Sequence, residues 1–245
     1  MITSKQNSLI KEIRSLKDKK NRDKLGLFVV EGIKPINEAI DLGVSLSLII
    51  CTERALSAIK PCDCRVETVA DEVLKSVSEE VTPQGALALA VKPDNAVKPP
   101  RGNSLLLDGV SDPANVGAII RTAAAAGYND VYLTEDAADA YSQKAVRASM
   151  SGIFRVKVMR GSVIDILSAI NLPVCVADMD GESVFTFKSS GAVCLVIGNE
   201  GHGVSEEVKK SSAFTVKIPM DNGVESLNAA VSAGILMYNL KNSLN

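Results

Sequence analysis

The chain has 245 residues and a formal net charge of -2, with 27 basic and 29 acidic side chains. Hydrophobic residues make up 46% of it, aromatic residues make up 4%, and tryptophan is absent. This composition is typical of one large or two small globular domains; it excludes a polycation with general affinity for nucleic acid and disfavours aromatic stacking as the main means of holding single strands.

The sequence shows no targeting signal. No apolar run reaches the length that spans a bilayer, and the N-terminus has no signal-peptide core, so we expect no membrane association. The five cysteines are odd in number and mostly scattered, which favours reduced thiols and a cytoplasmic location. Because His202 is the only histidine, a two-histidine metal site is excluded and no metal is expected.

The first 95 residues have the pattern of a small α/β domain. Lysine and arginine crowd residues 3–24, where Leu9, Ile13 and Leu16 recur at helical spacing and predict one basic amphipathic helix over 5–20. Its basic face is either a solvated helix surface or a phosphate-contacting surface. Further along, the pattern predicts strands at 27–31, 47–51, 65–69 and 86–91 and helices at 35–42 and 71–76, beginning with a β-α-β unit.

A proline-rich stretch separates this part from the rest of the chain. Residues 92–103 hold three prolines, a glycine and several charges, which is the clearest linker pattern in the sequence. We therefore expect a first domain over 1–95, a linker over 96–103 and a second domain over 104–245.

The second domain alternates strands with helices. Asp112 is a good N-cap, Pro113 suits the first helical position, and Gly127 predicts the end of that helix. The other predicted strands lie at 104–107, 130–133, 155–158, 174–178, 193–197 and 214–218, and further helices are predicted at 142–149 and 163–171. This alternation predicts an α/β fold with a mostly parallel sheet covered on both faces.

Three loops follow apolar strands of the predicted sheet, at 108–115, 198–204 and 219–226. In open α/β sheets ligands bind at the edge where the strands end. Gly198, Gly201 and Gly203 make the second loop thin, although their spacing matches neither a dinucleotide fingerprint nor a phosphate-binding P-loop. A helix of small residues follows the third loop at 227–237, with Ser226 as its expected N-cap, so this corner is expected to hold a ligand.

Taken together, these loops resemble the motifs of one enzyme family. The segments are DPANVGAIIRTAAAAG in the first loop and helix, LVIGNEGHGVSEEV in the second and IPMDNGVESLNAAVSAGI in the third. They resemble the TrmH-type (SpoU) branch of the SPOUT RNA methyltransferases from about residue 104 onward, and RASMSGIF at 147–154 also fits. The segment FVVEGIKPINEAI looks like the start of the substrate-binding domain that precedes many of these enzymes. One departure lies at 149–152, where the family commonly has glycine directly after Ser-Met, and we expect it to alter local loop packing.

The resemblance implies a fold, a reaction and partners. The expected fold is a C-terminal SPOUT α/β domain with a parallel sheet and a deep trefoil knot, preceded by a small α/β domain that binds structured RNA. The expected reaction is methyl transfer from S-adenosylmethionine to a ribose 2′-hydroxyl, in ribosomal RNA first and transfer RNA second, by a homodimer with its active site near the subunit interface. A non-catalytic RNA-binding assembly factor on the same fold is the alternative from another class.

The resemblance also assigns site residues by matched position. The cofactor is expected against the backbone of Ile197, Gly198, Ile218, Met220 and Leu227. The expected catalytic set is Asn115, Arg121, Glu200, Ser226 and Asn228. Arg121 is the principal candidate, and because arginine rarely releases its proton, stabilisation of developing charge is favoured over a role as base. Simpler interpretations are an ion pair for Arg121, a turn role for Glu200 and helix capping for Ser226 and Asn228.

Overall fold

Two β-sheets, one of four strands and one of six, organise the chain. The computed structural model describes residues 1–221, 223–224 and 226–242, and the side chain of Asn242 is also outside the description. None of the helices in the described residues combines the length and apolar character needed to cross a bilayer.

The four-stranded sheet lies in the N-terminal part of the chain. Its strands are β1 (Leu27–Glu31), β2 (Leu46–Cys51), β3 (Arg65–Thr68) and β4 (Ala86–Val91), in the order β1-β4-β2-β3. Helices α3 (Ile33–Asp41), α4 (Glu53–Leu56) and α5 (Asp71–Lys75) connect them. Strand β4 runs antiparallel to both β1 and β2, so the predicted β-α-β unit is present with β4 inserted between its two strands.

The predicted single helix over residues 5–20 is wrong, because two short helices occupy this region. They are α1 (Ser8–Ser15), capped by Asn7, and α2 (Lys19–Leu25). The break has a tertiary cause: the Arg22 guanidinium donates hydrogen bonds of 2.7 Å to the carbonyl oxygens of Leu16 and Lys17. Arg22 is only 4% exposed and also forms an ion pair of 2.6 Å with Asp139 of the C-terminal part. The first two helices are thereby attached to both halves of the molecule.

The six-stranded sheet is wholly parallel, which confirms the predicted fold class. Its strands are β5 (Ser104–Asp108), β6 (Asp130–Thr134), β7 (Lys157–Gly161), β8 (Val174–Ser183), β9 (Cys194–Gly198) and β10 (Phe214–Lys217), in the order β10-β8-β9-β5-β6-β7. Each neighbouring pair of strands is parallel. The carboxyl ends of all six strands therefore lie at one edge.

Helices cover both faces of this sheet. They are α6 (Pro113–Ala126), α7 (Gln143–Ser149), α8 (Val163–Ala169), α9 (Glu206–Lys210) and α10 (Ala229–Asn242). Because side chains alternate along a strand, Leu105 packs with Ile119 of α6 and Ala233 of α10 in one cluster, whereas Leu106 packs with Ile166 of α8 in another. The sheet is thus a buried layer between two helical layers, as parallel sheets require.

Candidate functional site

The three loops predicted to hold a ligand meet at the carboxyl edge of the parallel sheet. They follow β5, β9 and β10, and the register pairs Asp108 at the end of β5 with Gly198 at the end of β9. A Cβ atom on Gly198 would lie 2.3 Å from the Gly203 carbonyl carbon, so only glycine fits at this close approach. Asn199 fastens the second loop to the first by donating a 2.7 Å hydrogen bond to the carbonyl oxygen of Gly109.

One side chain, Asn115, joins the polar residues of all three motifs. Its amide nitrogen donates to Glu200 Oε1 at 2.8 Å, and its amide oxygen accepts from the Asn228 side chain at 2.9 Å. The backbone nitrogen and hydroxyl of Ser111 both donate to Glu200 Oε2 at 3.1 Å. We call this set of contacts the Asn115 bridge. It holds together segments that are 85 and 113 residues apart in sequence.

The hydrogen bonds of the Asn115 bridge keep Glu200 ionised. Burial alone would raise the pKa of this carboxyl, but the donors on Asn115 and Ser111 outweigh burial and hold the pKa below its ordinary value. Negative charge therefore persists at the centre of the three loops at neutral pH.

The start of α10 differs from the prediction. Helix α10 begins at Ala229, and its first free N–H groups, on Ala230 and Val231, donate to Asn228 Oδ1 at 2.9 and 3.3 Å. The expectation of Ser226 as the N-cap is therefore wrong, because Asn228 takes that position. Asn228 can cap the helix and donate to Asn115 at once, since its amide oxygen does the first and its amide nitrogen the second.

A cavity of about 560 Å³ opens among the three loops, and we call it the loop-edge cavity. All five residues expected to contact a cofactor line it, namely Ile197, Gly198, Ile218, Met220 and Leu227. Three residues of the expected catalytic set, Glu200, Ser226 and Asn228, also line it. Two other residues of the third loop, Asn222 and Glu225, lie outside the described residues.

Sequence reasoning missed the wall that β8 contributes to this cavity. Asp178 and Met179 line it from β8, and Ser232 and Leu236 line it from α10. A hydrogen bond from Lys209 holds the pKa of Asp178 below its ordinary value, and the same 2.8 Å ion pair offsets the charge of the carboxylate. The sequence does place Asp178 at the end of a predicted strand. Assigning it to this cavity also requires knowing that β8 lies between β9 and β10, which the sequence pattern does not show.

Arg121 is not brought into the loop-edge cavity of its own chain. It follows Asn115 by six positions on α6, which places it about 9 Å along the axis and on another side of the helix. It lines a different cavity, between the two sheets, that shares no lining residue with the first. Arg121 is exposed, and its guanidinium has no ion pair or hydrogen bond within the described part of the chain, which removes the simple ion-pair interpretation.

Comparisons with known proteins agree with this architecture. Residues 102–238 match the SpoU rRNA Methylase family, and residues 7–88 match the MRM3-like substrate binding domain. The 23S rRNA (guanosine(2553)-2'-O)-methyltransferase RlmP of Bacillus subtilis is 31% identical over 245 residues, which cover 98% of each chain.

Solved structures are similar over the whole chain as well. An AdoMet-bound rRNA methyltransferase from Sinorhizobium meliloti has a TM-score of 0.89 at 28% identity and covers 100% of this chain and 98% of its own. The SpoU methyltransferase AviRb from Streptomyces viridochromogenes, in complex with AdoMet, has a TM-score of 0.85 at 26% identity, with 96% and 98% covered.

The parallel sheet, its loop-edge cavity and these similarities define an RNA methyltransferase of the SPOUT α/β class. Since the family match spans more than half of the residues, the chain belongs to the SpoU rRNA methylase family.

Proposed function

We propose that this protein transfers a methyl group from S-adenosylmethionine to a ribose 2′-hydroxyl of RNA, with ribosomal RNA as the preferred substrate. The observation that carries the proposal is the Asn115 bridge, which joins the polar residues of three separate motifs beside one cavity. Relatives that match almost the whole chain are named as 23S rRNA 2'-O-methyltransferases. Other relatives carry the broader name tRNA/rRNA methyltransferase, so transfer RNA is the second substrate to test.

The loop-edge cavity fits the methyl donor in size and chemistry. Its volume of about 560 Å³ is that of a typical small-ligand site. Apolar side chains such as Ile197, Met220 and Leu236 offer walls for an adenine ring, and the thin backbone at Gly198 allows close approach. The carboxylate of Glu200, whose hydrogen-bond partners among the described residues are neutral, suits a ligand with a sulfonium and an ammonium group. The bound donor supplies an electrophilic methyl group.

Residues of the chain hold the three loops in place and stabilise the charge that develops in the reaction. Asn115, Glu200 and Asn228 keep the three loops in one arrangement, and Ser226 lines the same wall. A ribose hydroxyl is a weak nucleophile unless negative charge on its oxygen is stabilised as the proton leaves. Arg121, exposed and unpaired among the described residues, holds the nucleotide's phosphate and stabilises that developing charge.

We further propose that the active form is a homodimer in which Arg121 of one chain faces the loop-edge cavity of the other. Val231 and Tyr238, which are 51% and 45% exposed, form an apolar stripe on the outer face of α10 together with half-buried Ile235. Helix α10 packs on α6 beside Arg121, since a Cβ at Gly234 would lie 3.6 Å from Thr122 Cγ2. A dimer that covers this stripe brings Arg121 to the surface where the partner's cavity opens, which resolves its absence from the cavity in its own chain.

The domain division proposed from the sequence, 1–95, 96–103 and 104–245, is supported by the strand positions. The N-terminal sheet ends with β4 at Val91, and the C-terminal sheet starts with β5 at Ser104. The first domain binds structured RNA, the second carries the chemistry and a deep trefoil knot, and the enzyme acts in the cytoplasm.

The activity is tested by tritiated methyl transfer from S-adenosylmethionine to ribosomal and transfer RNA taken from cells that lack this protein. Arg121→Ala is expected to abolish turnover while calorimetry shows unchanged donor binding. Arg65→Ala is the matched control, because Arg65 is exposed on edge strand β3, pairs with half-buried Glu67 and lines neither cavity. Donor binding without transfer to either RNA would favour the non-catalytic assembly factor, and equal loss of both properties in Arg121→Ala would refute the assigned roles.

The shared active site is tested by mixing two inactive variants. Random pairing of Arg121→Ala with Glu200→Ala makes half the dimers mixed, and each mixed dimer then has one intact site of two. The co-expressed variants are therefore expected to recover about a quarter of wild-type activity. If Arg121 acts on the cavity of its own chain, the mixture stays as inactive as either variant alone.

A further inference from the structure

A second cavity, also of about 560 Å³, lies between the two sheets, and we call it the inter-sheet cleft. One wall comes from β1, α3 and residues near 80–84, and the other comes from α6, α7 and the turn after α7. Gln143, Val146, Arg147 and Met150 line it with the spacing i, i+3, i+4 and i+7. The first three therefore lie on one side of α7, whereas Met150 follows the end of that helix.

Gln143 lines this cleft and has a side-chain oxygen without a hydrogen-bond donor among the described residues. The residue is only 8% exposed, and its buried Oε1 has no hydrogen-bond partner among the described residues. A buried carbonyl oxygen without a donor is unfavourable, so a ligand N–H that reaches this oxygen is favoured.

Met150 is held in a conformation that methionine rarely adopts. Its φ of 52° with ψ of -130° makes it the one non-glycine residue with positive φ among those described. Backbone strain of this kind persists where the surroundings fix it. Gly152, two residues further on, lies close against the Arg121 backbone, since an added Cβ there would be 2.8 Å from Arg121 Cα. The side chain remains 51% exposed on the cleft wall, where a thioether suits contact with an aromatic face.

Charge is divided between the two walls of the cleft. Arg121 and Arg155 are exposed on the C-terminal side without ion-pair partners among the described residues, and Arg147 has only a 3.8 Å contact with Glu79. The N-terminal wall carries carboxylates and one lysine, namely Glu31, Glu38, Glu80 and Lys34. Arginines attract a phosphate, whereas the carboxylates repel it and accept hydrogen bonds from N–H groups.

We propose that the inter-sheet cleft of one chain binds the nucleotide whose hydroxyl reacts at the loop-edge cavity of the partner chain, and that Gln143 reads the base of this nucleotide. Gln143 Oε1 accepts a hydrogen bond from a base N–H, Met150 contacts the face of the base, and Arg121 with Arg155 binds the 5′-phosphate. This assignment rests on the proposed RNA methyltransferase function, and it makes Gln143 and Met150 determinants of nucleotide specificity.

The test is an NMR titration of the full-length protein with the four nucleoside 5′-monophosphates and with ribose 5-phosphate as the probe that lacks a base. At least one nucleotide is expected to bind about fivefold more tightly than ribose 5-phosphate. Gln143→Met is expected to abolish this base-dependent gain while leaving ribose 5-phosphate binding unchanged. Arg155→Gln is expected to weaken all five ligands alike, and Arg65→Gln is the control that changes none.

Met150→Gly separates a binding role from a folding role. Glycine adopts the observed backbone angles without strain, so this variant is expected to unfold at a higher temperature and yet to lose most of the base-dependent gain. Equal binding of nucleotides and ribose 5-phosphate, or a gain that survives Gln143→Met, would overturn the proposal. Methyl transfer to RNA, measured separately, would then show whether the proposed enzyme function still stands.

Discussion

The close contact between Gly152 and α6 makes a sharp test of how Arg121 is positioned. In Gly152→Ala the new Cβ would lie 2.8 Å from Arg121 Cα, 3.2 Å from its backbone nitrogen and 3.3 Å from the carbonyl oxygen of Ile120. The first separation is about 0.7 Å short of a favourable carbon–carbon contact, and no flexible side chain can yield. The turn and the helix must therefore move apart by about that distance.

This displacement sets the expected size of the effect. Overpacking of this kind lowers the free energy of unfolding by about 1–3 kcal/mol. A shift near 1 Å in a positioning residue reduces turnover by about 100-fold, so Gly152→Ala is expected to lose most of its kcat for methyl transfer. Donor binding should remain unchanged, because Gly152 lines the inter-sheet cleft and not the loop-edge cavity.

The assay combines urea denaturation, calorimetry of donor binding and single-turnover methyl transfer. Gly102→Ala and Gly191→Ala are matched controls, because an added Cβ at either position meets no atom within 4 Å and neither residue has a positive φ. If Gly152→Ala is destabilised by the expected amount but keeps the wild-type kcat, the turn that contains Gly152 does not position Arg121.

Three further predictions concern the bridge, the link between the halves and the response to acid. Asn115→Leu removes both hydrogen bonds of the bridge and is expected to weaken donor binding by about 2 kcal/mol in calorimetry. Arg22→Met leaves the Asp139 carboxylate, whose side chain is 11% exposed, without its partner and should cost about 3 kcal/mol in urea unfolding; a cost below 1 kcal/mol would contradict a buried ion pair. A hydrogen bond from Lys92 lowers the pKa of Asp23 to about 2 from 3.8, so the stability it adds is complete above pH 3.8 and is lost as pH falls towards 2. Asp23→Asn should thus lower the melting temperature slightly at pH 7 and not at pH 2, since the pair is partly exposed.

Local sequence patterns correctly predicted the helices and strands whose ends are set by residues adjacent in the chain. Helix α6 has the predicted bounds, because Asp112 caps it through the N–H of Ala114 and Gly127 ends it in a left-handed conformation. The parallel sheet followed from alternation of apolar strands with helices, and the convergence of the three loops followed from the sheet.

Distant contacts decided the features that sequence reasoning missed. The break between α1 and α2 depends on Arg22, whose other partner lies 117 residues away. Serine and asparagine are both common N-cap residues, so residue type alone does not decide between Ser226 and Asn228. In the structure Asn228 caps α10 and also donates a hydrogen bond to Asn115. The unsatisfied oxygen of Gln143 arises only where α7 packs beside β1, so no local pattern marks it.

The Asn115 bridge also makes the arrangement of the three loops depend on the packing of α10. Its three participants come from the beginning, the middle and the end of the C-terminal half, and the last of them caps the final helix. Contacts over such separations form late in folding. A chain in which α10 has not yet packed therefore has no Asn228 beside Asn115, and we expect such a chain not to bind the methyl donor.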